Sequence, residues 1–257
     1  MGNDVSLRGA GLATQCSMKP FSTWTVLPHG KLTRIEDNIL TVTGTMHMPP
    51  MGDVERRMTV VRLGDGRLVI WSAIALDEAG MAELEGFGTP AFLIVPGDLH
   101  RLDARVWKCR YPQLVVITPA AARAKVEEVV SVDATAIDFE DSRVHYLTVP
   151  GTEEREAALL VDGPTGTTLV LNDLIFDLAN RPGLRGWLFK LIGMTGDEPH
   201  IPAPVRMRKV VDKEALSAAL RQWGEMPQLE RLIISHGAII ERDAPRVLDR
   251  VARELSA

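Results

Sequence analysis

The chain has little cysteine: Cys16 and Cys109 are the only two in 257 residues. One bridge between them is arithmetically possible but would not amount to a disulfide framework, and no CxxC pair marks a zinc ribbon. Two free thiols in a reducing compartment are the expectation. Long apolar runs are missing too. No window offers about 18 consecutive apolar residues, which predicts no membrane span, and the first residues lack the apolar core of a secretion signal. A cytoplasmic protein without a membrane partner is expected. Dense basic clusters are also absent. ARVWKCR and VRMRKVV come nearest, and at a net charge of −5 nucleic acid is excluded as the main partner. No GxSxG elbow, Walker loop or GxGxxG fingerprint occurs, so the common nucleophile and phosphate motifs supply no activity.

What is present suits a soluble globular protein with a sizeable core: 46% hydrophobic and 25% charged residues. Residues 1–20 lack periodicity and read as a flexible arm. No linker divides residues 21–257, which are expected to form a single domain. MTVVRLGDGRLVIWSAIAL is two β-rich runs around Gly64-Asp65-Gly66, a hairpin. Asp77 is positioned to cap a helix through about Glu85. AFLIV is a short continuous apolar run, as in a strand covered on both faces. Thr118-Pro119 predicts the N-cap and first residue of a helix over PAAARAKVEEVV. AALLVD and TTLVLND flank Gly163-Pro164-Thr165-Gly166, a second hairpin. GLRGWLFKLIGM reads as helical and residues 195–205 as a long loop. Asp212 caps KEALSAALRQW, RLIIS is a buried strand, and Asp243 opens a closing helix. Two β-rich halves, each followed by helices, predict two sheets packed face to face with helices outside.

The chemistry-bearing side chains gather at strand ends. AFLIVPGDLHRLD carries Asp98, His100 and Asp103, LVLNDLIFDL carries Asp173, and RLIISHGAII carries His236. Such a pattern is how α/β proteins assemble a metal or hydrolytic site. The same residues admit a purely structural reading. Asp98 and Asp103 flank a helix start, where carboxylates stabilise by about 0.3–1 kcal/mol, and Asp173 can close a turn. Glu153, Glu154 and Glu156 read as a solvated face, and His145 as a strand histidine. His200 lies in the 195–205 loop, from which it can reach a pocket. Neither cysteine has the partner a nucleophile needs.

The order of these strand ends resembles the metallo-β-lactamase superfamily, an αββα sandwich, over roughly residues 55–240. The family's His-x-His-x-Asp-His box falls on Asp98, Leu99, His100, Arg101, Leu102 and Asp103. Its histidine after Pro-Gly falls on Thr152, its bridging aspartate on Asp173, and its late His-Gly on His236-Gly237. The chain resembles most a branch in which this box is degenerate. The resemblance implies one half-site of Asp98, His100 and Asp173 and another of Asp103, His236 and the same Asp173. Leu102 offers no ligand atom and Thr152 a poor one. The expectation is therefore a hydrolase-like protein of unknown substrate, taking a small molecule, with at most one weakly held divalent cation. The added carboxylates favour iron or manganese over zinc. The alternative is a non-catalytic module that kept the sandwich and lost the metal. On the first reading His100, Asp173 and His236 surround one pocket.

Overall fold

The computed structural model describes residues 19–49, 52–180 and 182–256; of the expected arm, only Lys19 and Pro20 fall within them. The chain opens with a meander. β1 (Thr33–Glu36), β2 (Ile39–Met48), β3 (Gly52–Arg62) and β4 (Arg67–Trp71) pair antiparallel in sequence order. The β3–β4 connection is the hairpin expected at Asp65. Gly66 takes a φ of +86°, a conformation that costs a residue without Cβ nothing. After α1 (Glu78–Phe87), the strand β5 (Thr89–Ile94) joins parallel to β4. Asp77 caps α1, accepting from the Gly80 N–H at 2.8 Å. α2 (Ala104–Arg110), β6 (Val115–Ile117) and α3 (Arg123–Glu127) follow, with β6 parallel to β5.

The expected Thr118 cap is not made. A short 3-10 turn, Ala120–Ala122, precedes α3, and the Thr118 hydroxyl donates instead to the Val95 carbonyl at 2.8 Å. Thr118 is fully buried, so its hydroxyl takes the acceptor that packing puts within reach.

The second half repeats the plan. β7 (Val144–Thr148), β8 (Ala157–Gly163) and β9 (Gly166–Leu171) form an antiparallel meander. β10 (Phe176–Asp177), α4 (Gly183–Leu191), α5 (Ala203–Lys209) and α6 (Lys213–Gly224) lead to β11 (Leu229–Ile233), which lies parallel to β9. β12 (His236–Gly237) pairs with β10, β13 (Ile240–Glu241) pairs with β11, and α7 (Ala244–Ser256) closes the fold. α5 corrects the sequence reading, since it begins inside the stretch taken as loop. Pro204 stands in its first turn, where a missing N–H breaks no helical bond.

Three apolar layers hold these elements. Leu68, Ile70 and Leu93 pack with Met81, Leu84 and Trp107 of α1 and α2. Their strand neighbours Val69, Trp71, Phe92 and Ile94 face the other sheet, meeting Leu159, Val161, Val170 and Ile233. The far side of that second sheet, with Leu169, Leu171 and Leu232, packs on Leu216, Leu220, Leu248 and Val251 of α6 and α7. β4 and β5 are thus covered on both faces, which is why they read as continuous apolar runs. The result is the expected four-layer αββα sandwich. Among the described residues no helix is long and apolar enough to cross a membrane.

The middle layer is the test of this packing. Leu159→Ala, at a fully buried position, is expected to cost about 2–5 kcal/mol through lost transfer energy and a residual cavity. Leu188→Ala, half exposed on α4, should shift stability by less than about 0.5 kcal/mol. Urea unfolding of both variants checks the contrast, and equal midpoints would contradict it.

Candidate metal centre

Three strand ends from both halves meet at one edge of the sandwich. The chain leaves β5 through Pro96-Gly97 and presents His100, whose Nε2 lies 2.8 Å from Asp173 Oδ1. Asp173 follows β9, and His236 opens β12 with its Nε2 3.2 Å from the same oxygen. One ligand atom from each of the three lies within 4.8 Å of the others. Residues 73 and 63 positions apart in sequence thus share one carboxylate.

The backbone holds each histidine in place. Ser72, just after β4, adopts a φ of +55°, and its Oγ lies 2.6 Å from His100 Nδ1. Left-handed backbone at a residue other than glycine is strained and persists where surrounding contacts fix it. Gly237 has a φ of +116°, and a Cβ there would run into the Asp177 backbone carbonyl. The glycine after His236 is therefore required for β12 to lie beside β10. Arg57, from β3, donates to the Ile234 carbonyl at 3.1 Å and the Gly237 carbonyl at 2.6 Å, clamping the loop that carries His236.

Hydrogen-bond geometry orients His236. Its Nδ1 lies 2.6 Å from the Glu55 backbone carbonyl, which can only accept, so Nδ1 carries a proton and donates. Nε2 then faces the Asp173 carboxylate oxygen at 3.2 Å, where it donates when protonated and offers a lone pair to a cation when not. His100 is freer, because the Ser72 hydroxyl can donate to Nδ1 or accept from it.

Burial pushes the His100 imidazole below its ordinary pKa, against the opposing pull of Asp173. Burial alone would raise Asp173, but His100, Lys209 and the imidazole hydrogen bonds outweigh it and hold the carboxyl well below the usual range.

Lys209 and Glu156 were missed by the sequence reading. Lys209 Nζ contacts Glu156 Oε1 and lies 3.1 Å from Asp173 Oδ2 and 3.7 Å from Asp98 Oδ1. Lys209 is 4% exposed and Glu156 0%, so Glu156 departs from the solvated face expected for it. Glu153 and Glu154 remain exposed. Burial pushes Glu156 up to about 7 despite the ammonium beside it. Burial also works against Lys209, yet Asp173 and Glu156 outweigh it and raise the ammonium above its ordinary value. Asn172 donates to Glu156 at 3.3 Å and accepts from the Ser235 hydroxyl at 2.9 Å. Gly97 makes room, since a Cβ there would lie 2.5 Å from Glu156 Oε1. The only sequence signal was the position of Lys209 in VRMRKVV, which reads as a thin basic run.

The other expected ligands are placed differently. Asp98 lies at the rim, 3.6 Å from Arg208 and 3.7 Å from Lys209. Asp103 is buried in an ion pair with Arg56 of β3 and accepts from the Ala75 N–H at 3.1 Å. It neither joins the three grouped donors nor caps α2, because a buried guanidinium and an unpaired amide claim both its oxygens. Leu102 lines the cavity, and the Thr152 hydroxyl donates to the Val149 carbonyl at 2.7 Å. His145 is exposed on β7. His200 pairs with Phe176 through its backbone, and its Nδ1 lies 3.0 Å from the Glu198 carbonyl, tying the loop to itself.

A cavity of about 920 Å³ opens over the centre, with His100, Asp173, Lys209 and His236 in its wall. Met46, Met48 and Val54 from the β2–β3 hairpin and Leu178, Phe189 and Met194 from the β10–α5 region give it apolar sides. Its size and mixed lining suit a small molecule.

The Arg56–Asp103 pair makes a separable prediction. Arg56→Ala leaves the Asp103 carboxyl buried without its counter-charge, and burial already raises that carboxyl above its ordinary pKa. The expected loss is about 3–5 kcal/mol, and Arg56→Met with Asp103→Leu should recover most of it. Chemical denaturation of the single and double variants measures both. A double variant no more stable than Arg56→Ala would show that the pair contributes more than mutual neutralisation.

No protein-family profile matches the chain, and no curated protein matches it. Solved structures do. A metallo-β-lactamase from Hirschia baltica is 13% identical, with a TM-score of 0.57 over 88% of this chain and 98% of its own. FIM-1 from Pseudomonas aeruginosa, a metallo-β-lactamase in its mono-zinc form, is 14% identical, with a TM-score of 0.57 over 90% and 97%. VMB-1 is 11% identical, with a TM-score of 0.61 over 91% and 100%. At such identities the likeness establishes architecture, and with the four layers and the strand order it has one conclusion: the chain has the metallo-β-lactamase fold.

Proposed function

We propose that this chain is a hydrolase-like protein that takes a small molecule into the cavity and holds at most one divalent cation on His100 Nε2, Asp173 Oδ1 and His236 Nε2. The observation that carries the reading is the gathering of one donor atom from each of these three residues within 4.8 Å of one another in the cavity wall. Three protein donors are the usual number for a catalytic cation with an open position. Two imidazoles and one carboxylate suit iron or manganese as well as zinc. The mono-zinc form of one similar structure supports a single-ion reading for this fold. When bound, such an ion supplies Lewis acidity toward a carbonyl or phosphoryl oxygen and lowers the pKa of water.

The chain's own groups do the rest. Glu55 and Ser72 aim the two imidazoles, and Asp173 neutralises charge between them. With Asp103 engaged by Arg56, Asp98 at the rim is the carboxylate left to orient a water. The apolar walls favour a substrate with an apolar body. An exposed free Cys109 fits a reducing cytoplasm.

Metal analysis of protein purified without chelator or histidine tag tests the reading. At most one equivalent of iron, manganese or zinc per chain is expected, and His236→Ala should weaken its binding by more than about 100-fold. After chelation, esterase or phosphodiesterase activity should return with iron or manganese. Two tightly held zinc ions would overturn the reading. A folded protein that takes up none of these ions would instead support a non-catalytic module.

A further inference from the structure

Asp173 divides its two oxygens between two places. Oδ1 faces the paired imidazoles, and Oδ2 faces Lys209 Nζ at 3.1 Å. The second place is walled by oxygen: Glu156 in direct contact, Asp173, and Asp98 at 3.7 Å. A carboxylate shared by two cation places is the arrangement a two-metal site uses. Here the second place holds a nitrogen of the chain itself.

A simple structural ion pair accounts for less than what is present. One ammonium needs one buried carboxylate to offset its desolvation, yet three surround this one. Arg208, 3.6 Å from Asp98, compensates the most exposed of them. That leaves Glu156 and Asp173 both turned on one ammonium beside two histidines. The ammonium occupies the space between their oxygens, where a second ion would have to sit. Lysine suits the task because its ammonium is a compact point charge with three donors. Two of them are committed to Glu156 and Asp173, and Lys209 is part of the cavity wall.

We propose that the Lys209 ammonium is the resident second cation of this centre, filling the place of a second metal ion and leaving one N–H for a substrate oxygen. Asp173 then bridges one exchangeable ion and one fixed charge, and no chelator can remove the latter. Its position is set by α5, whose last residue is Lys209.

Equilibrium dialysis against manganese, with wild type, Lys209→Ala and Lys209→Arg, tests this. Lys209→Ala frees the oxygens of Glu156, Asp173 and Asp98 from the ammonium and is expected to bind one equivalent more than wild type. Lys209→Arg keeps the charge and should match wild type. An alanine variant that binds no more than wild type, or an arginine variant that also gains an ion, overturns the proposal. If Lys209→Ala is unfolded in chelator, manganese must restore its circular dichroism at concentrations that leave the wild-type melting midpoint unchanged. Failure to restore it counts equally against the proposal. The inference rests on the single-cation reading for the first place only. Wild-type uptake tests that reading, and the difference between wild type and Lys209→Ala tests this one.

Discussion

The buried Asp173 carboxylate is the group on which the site depends. An ionised carboxylate away from water costs several kcal/mol unless its lone pairs are matched, and here each oxygen has its own partners. Oδ1 is shared by His100 and His236, and Oδ2 receives the Lys209 ammonium. Those partners come from the loop after β5, the start of β12 and the end of α5. Compensating one charge therefore ties the two halves of the sandwich together at this edge. Arg57 does the same through the backbone, reaching from β3 to the loop before β12.

Asp103, Leu102 and Thr152 serve the fold. Asp103 stands apart from the two histidines, neutralises Arg56 and holds the Ala75 amide. Leu102 contributes apolar wall, and Thr152 closes its own turn through Val149. Lys209 is held between Asp173 and Glu156, and Glu156 is buried with it. The buried polar groups at this edge thus form intramolecular charge pairs, and the two histidines face the cavity.

Much of the architecture was legible in the chain. Period-2 runs interrupted by Gly64-Asp65-Gly66 and Gly163-Pro164-Thr165-Gly166 gave the two hairpins, and Asp77 and Asp212 gave two helix starts, each confirmed by a side-chain cap. These are local signals, fixed by turn chemistry and by which amide a nearby carboxylate can reach. Thr118 was misread because its hydroxyl found a partner 23 residues away. α5 was misread because three prolines and a glycine between residues 196 and 204 suggest loop, although proline is at home in a first turn.

The sequence by itself determined the strands, their order and the fact that His100, Asp173 and His236 follow three of them, because hydrophobic period and strand-end position are properties of short segments. Only the tertiary structure decided which polar groups became partners. Whether Asp103 meets a metal or Arg56, and whether Lys209 is solvated or sealed between Glu156 and Asp173, depends on charges brought together from residues 36 and 53 positions apart in the ammonium's case. No local pattern carries that information, since the free energy of a buried charge is set by everything that surrounds it.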